Sequence, residues 1–351
     1  MKLLLRTAAL AAFTASLMGC ANSAHAARAY IGTYTPNPVD PRAYAHGNGE
    51  GIYLVNIDDV TGAPSGMKLV AKDRSPAWLV LSANHKFLYA INEVDNYGPG
   101  KNGSVTAYAV DAGSGALKKL NTVGSGGAMP CYISVHSSGK FALVANYTGG
   151  SYSVLPIKAD GSLGEASDVV KPGGPTNSAS AVDAPPGQGP SAPNRITRGH
   201  MIASDPSGQY VVGDDAGRDK IFVWRLNTDT GKLTQKGRSI SALPDLYQGS
   251  GSASRLLVSP SGRNVYSANR THNSIATFAV GAGGIASKLA TTPTEGEHPR
   301  SLTIDPSGKF LYSLNLRADS IATFRIEPNG VPRSTGKFLA VGAPAVMVFL
   351  P

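Results

Sequence analysis

Histidine, arginine and acidic side chains stand beside several predicted strands and together suit general-base chemistry. His200 is the best candidate base, because the unperturbed pKa of histidine lies near physiological pH. Arg270 and Arg300 carry planar guanidinium forks that can hold a carboxylate, a phosphate or an oxyanion. Asp214 could orient His200, and Glu93 is a further catalytic candidate. The alternative roles are a turn or blade brace for Asp214 and a salt bridge within its own loop for Glu93.

A second group of residues could bind a ligand. Trp78 and Tyr132 could stack on a ring, although aromatic residues on inner strands more often pack against their neighbours. The further candidates are Asn146, Arg255 and His298. These residues stand just before a predicted inner strand or at the end of the strand that follows it. We therefore expect them to converge at one mouth of a central channel.

Other chemistries lack their motifs. The sequence has no Gly-x-Ser-x-Gly elbow, no phosphate-binding loop of the Walker type and no His-Glu-x-x-His motif. Its seven histidines show no metal-ligand spacing, so we predict no metal site and no redox cofactor. Scattered lysine and arginine residues, with no basic stripe between aromatics, argue against nucleic-acid binding despite a net charge of +9.

Five stretches share one pattern that positions these residues. Each is an apolar strand, a tight turn of the Asp-Pro-Ser-Gly kind and a second strand rich in Phe, Tyr, Val and Leu. The stretches begin at Ser75, Met129, Arg198, Ser252 and His298. Their turns are 54, 69, 54 and 46 residues apart, near the roughly 40 to 50 of a propeller blade. A third strand follows each pair and usually a fourth, which predicts an all-β propeller of four-stranded antiparallel blades.

The two ends of the mature chain predict how the ring closes. Strands from Ala27 and Gly51 have no inner strand before them, whereas the strand from Gly342 has none after it. Joined, they make one composite blade that hides the sheet edges. The count is then six blades in a single domain over residues 27–351, with a flexible Pro/Gly/Ser-rich insert at about 158–197.

The N-terminus resembles a secretory signal over residues 1–26. Two basic residues precede an apolar run that is too short to span a membrane, so export, to a periplasm, is expected. Two cleavage sites compete: the Ala24–Ala26 triplet of signal peptidase, and a lipobox that would leave Cys20 lipidated. After cleavage at Ala26 only Cys131 remains, so no intramolecular disulfide can form. A closed ring of this kind is expected to be a monomer.

Several segments carry a resemblance that covers essentially the whole mature chain. They are YIGTYT at Tyr30, LYAINE at Leu88, PCYISVHSSGKFALVANYTGG at Pro130, LYQGSGSASRLLVSPSGRNVYSANR at Leu246 and HPRSLTIDPSGKFLYSLN at His298. As a set they are similar to the lactonase family of seven-bladed propellers, which includes 6-phosphogluconolactonases and related carboxymuconate cyclases. One copy of the repeat, between the hairpin at Asp229 and the segment at Ser241, is absent by comparison.

The resemblance implies a hydrolase that opens a small-molecule sugar lactone or a similar cyclic ester. His200 would activate water, and Arg270 and Arg300 would hold the oxyanion. Three departures from the family pattern are Arg255 in place of an acid, Arg198 in place of a histidine and Tyr132 in place of another histidine. These departures keep open a non-enzymatic binding scaffold of the cell envelope. A lactone-forming cyclase would use the same groups in reverse.

Overall fold

The structure is a computed structural model, and its strands follow from runs of β-branched and aromatic residues. It describes residues 27–36, 47–172, 197–204, 207–215, 220–235, 240–241, 253–261, 263–270, 273–280 and 286–350. Within these ranges the strands form six antiparallel sheets, which we name blades 1 to 6 in chain order. The all-β propeller predicted from the repeats is confirmed.

Each blade is a meander of neighbouring strands. Blade 1 contains β1 (Ala27–Thr33), β2 (Gly51–Ile57) and β3 (Pro64–Lys72). Blade 2 contains β4 (Pro76–Leu81), β5 (Phe87–Asn92), β6 (Ser104–Val110) and β7 (Leu117–Gly124). Blade 3 contains β8 (Pro130–Val135), β9 (Phe141–Asn146), β10 (Ser151–Pro156) and β11 (Asp168–Val170).

The second half of the chain repeats this order. Blade 4 contains β12 (Gly199–Ser204), β13 (Tyr210–Asp215), β14 (Lys220–Asn227), β15 (Lys232–Gln235) and β16 (Ile240–Ser241). Blade 5 contains β17 (Ala253–Val258), β18 (Asn264–Asn269), β19 (Ser274–Val280) and β20 (Ala286–Pro293). Blade 6 contains β21 (Pro299–Ile304), β22 (Phe310–Asn315), β23 (Ser320–Ile326) and β24 (Pro332–Ala340), with a 3₁₀ turn at Leu316–Ala318.

The last strand, β25 (Pro344–Leu350), completes blade 1. It pairs antiparallel with β1, from Arg28 opposite Leu350 to Thr33 opposite Pro344, and the strand order of the sheet is β25-β1-β2-β3. The composite blade predicted from the two chain ends is therefore confirmed. The hydrogen bonds between β1 and β25 join the first and last strands of the chain and close the ring.

Two details differ from the sequence-based expectation. Strand β11 lies inside the expected insert and pairs with β10, so residues 158–172 belong to blade 3. The Pro/Gly-rich run begins only after this strand, which is why composition placed the boundary too early. Residues 173–196 and the proposed signal at 1–26 lie outside the described residues. In blade 4, β15 and β16 both pair with β14 and together form its outer edge.

The core lies between the blades, where side chains of neighbouring sheets interdigitate. A tyrosine in the second strand of blades 1, 5 and 6 joins each blade to the following one through its hydroxyl. These hydroxyls donate hydrogen bonds to hairpin carbonyls, Tyr30 to Gly115 (2.8 Å), Tyr266 to Gly330 (2.9 Å) and Tyr312 to Gly62 (2.9 Å). All three hairpin glycines have positive φ, which glycine adopts at little cost. The blades are thus joined by both packing and directed hydrogen bonds.

Candidate functional site

The second residue of the inner strands holds two of the candidate side chains, His200 and Arg300. In blades 2, 3, 4 and 6 the pairing register shifts at this residue, which places it at a β-bulge. The bulge residues are Ala77, Cys131, His200 and Arg300. A bulge redirects a side chain out of the regular alternation of the strand. Residues far apart in sequence therefore meet near the ring axis.

The residue after the second strand is the other recurring position. Its backbone N–H donates to the carbonyl of the residue just before the inner strand. Such bonds join Tyr34 to Ala343 (3.1 Å), Glu93 to Ser75 (3.0 Å), Tyr147 to Met129 (2.8 Å) and Leu316 to His298 (3.1 Å). All four acceptor residues precede a proline, and their φ angles lie between 42° and 55°. Non-glycine residues seldom adopt this conformation, so the repeated turn is a specific device that fixes the site.

His200 and Arg270 approach each other from blades 4 and 5. Arg270 Nη2 lies 3.5 Å from His200 Nε2, a long hydrogen bond in which the imidazole nitrogen accepts. The Nε of Arg270 is buried and has no hydrogen-bond partner within the described part of the chain. Tyr147 lies edge-on to His200, at 6.0 Å between ring centroids, and carries Arg198 over its face at 4.9 Å. The His200–Arg270 pair therefore has one donor, Arg270 Nε, without an acceptor among the described residues.

Glu93, Arg300 and Tyr34 form a second group, which is buried. The Tyr34 hydroxyl donates to Glu93 Oε2 at 2.6 Å and accepts from Arg300 Nε at 3.2 Å. Arg300 Nη2 lies 3.6 Å from the same Glu93 oxygen. Glu93 thus pairs with an arginine on another blade, and the salt bridge within its own loop does not form. We refer to this group as the Tyr34 cluster.

The two arginines and burial set the ionisation of this region. Burial, with added repulsion from Arg300 and Arg270, lowers the pKa of His200 to about 3, so its ring is neutral at physiological pH. His200 therefore does not keep the unperturbed pKa that made it the best candidate base. Burial also raises the pKa of Glu93, against the opposing effects of Arg300, Tyr34 and Arg270. A neutral imidazole, two guanidinium groups and one carboxyl group thus occupy one buried region.

His298 also reaches this region. Its pKa is lowered to about 4, first by burial and then by Arg317, Arg270 and Arg300. Its backbone N–H donates to Asn273 Oδ1 at 2.8 Å, and its carbonyl accepts the N–H of Leu316. The structure therefore brings together five of the sequence-based candidates, which are His200, Arg270, Arg300, Glu93 and His298.

Trp78, Tyr132 and Asn146 have structural contacts instead. The rings of Trp78 and Tyr132 pack on each other at 4.6 Å between neighbouring blades, and both belong to the apolar core. The Asn146 amide donates to Ser125 O, Ser151 Oγ and Ser153 Oγ, which braces blade 3 from within. These contacts are those of packing and bracing residues.

Asp214, Asp215 and Arg255 lie on the first two strands of blades 4 and 5. In the register of blade 4, Asp214 pairs with Met201, the residue after the bulge. Asp215 is buried, and its Oδ1 accepts the backbone N–H of Arg198 at 2.8 Å, as expected for a brace. Arg255 and Ser254 both fall within the bulge of β17, between Ala253 and Leu256. The side chains of Asp214 and Arg255 lie outside the described part of the structure.

Sequence reasoning missed Tyr34, Tyr147 and Cys131. Cys131 occupies the bulge position of blade 3, and its thiol lies 3.4 Å from the carbonyl oxygen of His200. Tyr34 and Tyr147 follow the second strands of blades 1 and 3, as Glu93 and Arg270 follow those of blades 2 and 5. Aligning the repeats on that position would have found both tyrosines.

The fold and the site define a β-propeller in which the inner-strand region combines a neutral histidine with two arginines. The model of the family Lactonase, 7-bladed beta-propeller matches residues 28–240 and 235–349. The chain belongs to this family, and the lactonase class expected from the sequence is confirmed at that level. The two matched parts overlap at residues 235–240, and the described residues form six sheets where the family has seven blades.

Individual relatives of this chain are also lactonases or share the propeller fold. A 6-phosphogluconolactonase of Bacillus subtilis is 30% identical over 319 residues, covering 77% of this chain and 83% of the relative. The structure of the Pseudomonas aeruginosa periplasmic gluconolactonase is 25% identical with a TM-score of 0.73, covering 93% of this chain and 99% of that one. A putative 6-phosphogluconolactonase from Bacteroides uniformis, 24% identical over 93% of this chain and 99% of its own, shares the fold with a TM-score of 0.76.

The described residues contain no helix with the length and apolar character needed to cross a bilayer.

Proposed function

We propose that this chain is an exported lactonase that hydrolyses a sugar lactone or a similar cyclic ester. The observation that carries the proposal is the buried Arg270 Nε, which lacks an acceptor within the described residues and lies on the guanidinium that contacts His200. A buried charged donor without a partner is costly, and a ligand oxygen would satisfy it. The carbonyl oxygen of a lactone, which becomes negative during attack, is such an acceptor.

The proposed reaction uses His200 as the general base. The neutral imidazole takes a proton from water while the water oxygen attacks the lactone carbonyl carbon. Arg270 and Arg300 stabilise the negative charge on the carbonyl oxygen. The bond between the acyl carbon and the ring oxygen then breaks, the imidazolium of His200 returns its proton to the ring oxygen, and the product is an open-chain hydroxy acid. The low pKa of His200 keeps the base unprotonated at all physiological pH values, at the cost of weak basicity.

The location of the site favours an enzyme over a binding scaffold. Catalysis requires His200 and an arginine in one cavity, and Arg270 lies 3.5 Å from His200 with Arg300 close enough to lower its pKa. A scaffold would tolerate their dispersal over separate surfaces. The export signal favours a non-phosphorylated substrate, because 6-phosphogluconolactone is made in the cytoplasm. The named activity of the Pseudomonas aeruginosa relative, a periplasmic gluconolactonase, supports the same substrate class and compartment.

The test is lactone hydrolysis by the protein from Ala27 onward, followed by pH-stat on glucono-1,5-lactone and its 6-phosphate. Arg270→Met and His200→Ala should each lower kcat by about 10²- to 10³-fold, the usual effect of removing an oxyanion donor or a base. Arg325→Met is the matched control, because this arginine binds the carbonyl of exposed Val60 and stacks on Phe310. Rates equal to buffer in the folded wild type would overturn the proposed function.

The processing of the N-terminus needs a separate measurement. We propose residues 1–26 as the removed signal, with release of a soluble monomer. Intact-mass analysis of protein exported by a bacterial host distinguishes an N-terminus at Ala27 from a diacylglyceryl group on Cys20. A mass that includes residues 1–26 would contradict both forms of export processing.

A further inference from the structure

Tyr34 sits at the position where blades 2 and 5 carry candidate functional side chains. It follows β1 as Glu93 follows β5 and Arg270 follows β18. Its backbone N–H is held by the Ala343 carbonyl at 3.1 Å, so the ends of the composite blade fix its position. The side chain is buried, with its hydroxyl between Glu93 and Arg300.

The hydrogen-bond directions around the Tyr34 hydroxyl are determined by its partners. Arginine has no acceptor, so Arg300 Nε must donate to Tyr34, and the single hydroxyl proton must go to Glu93 Oε2. Glu93 Oε2 is then an acceptor for both Tyr34 at 2.6 Å and Arg300 Nη2 at 3.6 Å. This arrangement requires an unprotonated oxygen on Glu93. It also fixes the plane of the Arg300 guanidinium by two of its three nitrogens.

We propose that Tyr34 is a positioning residue of the lactonase site, whose hydroxyl orients the Arg300 guanidinium toward the substrate carbonyl and holds Glu93 as its counter-ion. The proposal rests on the proposed function, since Arg300 is there one of the two oxyanion-binding groups. Tyr34 does not touch substrate in this role. It acts through Arg300, which reaches the same region as His200 and Cys131.

Removal of the hydroxyl should change how the site responds to pH. The charged and titratable groups that face Glu93 are Tyr34, Arg300 and Arg270, and the Tyr34 hydrogen bond lowers the pKa of Glu93 against the effect of burial. Without this bond the carboxyl binds a proton at higher pH. The acid limb of kcat, which should lie above the ordinary carboxyl value of 4.5, is therefore expected to move upward.

The experiment compares Tyr34→Phe with Tyr30→Phe in the mature protein, using glucono-1,5-lactone. Both changes remove a buried hydroxyl from the same blade, but Tyr30 donates to the backbone of Gly115. Tyr34→Phe should lower kcat on the order of 10- to 100-fold, as expected when a reacting group is misplaced, with KM nearly unchanged. Its acid limb should shift to higher pH. Tyr30→Phe should retain the kcat and pH profile of the wild type.

Three outcomes decide the proposal. A Tyr34→Phe protein with kcat within twofold of wild type and an unshifted acid limb overturns it, as does a loss of activity that both variants share. If Tyr34→Phe does not fold, Glu93→Gln replaces it, because the carboxamide keeps an acceptor for Tyr34 but removes the charge. Wild-type kcat and pH profile in Glu93→Gln would then overturn the proposal. An inactive wild type instead overturns the proposed function itself.

Discussion

The ring is interrupted at two places, and the two differ in how well they are sealed. In blade 1 the covalent chain is broken, yet β1 and β25 pair along their length and Val346 is 2% exposed. Between blades 4 and 5 the chain is continuous, yet Met201 on β12 is 43% exposed. Met201 and Val346 hold the same register position of their inner strands. Sheet pairing and packing, and not chain connectivity, close this propeller.

The second strand shows the same contrast. Val212 on β13 is 40% exposed. The residues at its register position in the other five blades are all 0% exposed, namely Tyr30, Tyr89, Leu143, Tyr266 and Tyr312. Three of these tyrosines donate to the next blade, which Val212 cannot do. This face points away from blade 3, and within the described residues no sheet covers it between blades 4 and 5.

The largest expected effect comes from breaking the sealed interruption. Removal of Pro344–Leu350 deletes the inner strand of blade 1 and exposes the hydrogen-bonding edge of β1. We expect loss of the cooperative thermal transition and of the soluble protein. Circular dichroism melting measures this, with Phe338→Ser as a control because Phe338 is exposed on outer strand β24. A truncated protein that melts like wild type would show that β25 is dispensable.

The next largest effect comes from placing a charge at the same register position on a covered face and on an exposed face. The two variants should differ in their loss of unfolding free energy. Leu143→Asp buries a carboxyl between blades 3 and 4, where Leu143 packs in an apolar cluster, and should cost about 3 to 5 kcal/mol of unfolding free energy. Val212→Asp should cost less than about 1 kcal/mol, because its site is exposed to water.

Urea denaturation of both variants provides the measurement. Equal and large losses would mean that blades 4 and 5 cover Val212 in solution. The wild-type m-value serves as the control, since a changed slope would indicate that the variant alters more than one face.

The repeats and the half-blades at the chain ends were sufficient to predict the propeller and its composite blade. The site was harder to predict from the sequence, because two adjacent residues can have different roles, one bracing the blade and the next facing the site. Asn146, the last residue of β9, braces its blade, whereas Tyr147 points to His200. Sequence spacing cannot show a β-bulge, which is why the role of the inner-strand residues was assigned only in part. The pKa of His200 depends on burial and on two arginines from other blades, which no local pattern reveals.

The smallest expected effect concerns the contact between His200 and Arg270, which joins the inner part of blade 4 to blade 5. The pKa of His200 is lowered from 6.5 to about 3 in the folded state. Between these values the unfolded chain binds the proton and the folded chain does not, so stability falls as the pH drops below 6.5. At pH 5 this penalty is about 2 kcal/mol.

His200→Gln should therefore lose about 2 kcal/mol less than wild type between pH 7 and pH 5, measured by urea denaturation at both values. His85→Gln, which alters an exposed turn histidine, is the control and should behave as wild type. The same result bears on the comparison of the two interruptions. If wild type and His200→Gln lost equal stability, His200 would be hydrated and the junction would be open along its whole length. A smaller loss in the variant would instead mean that the junction is sealed where the site lies and open only further from the axis.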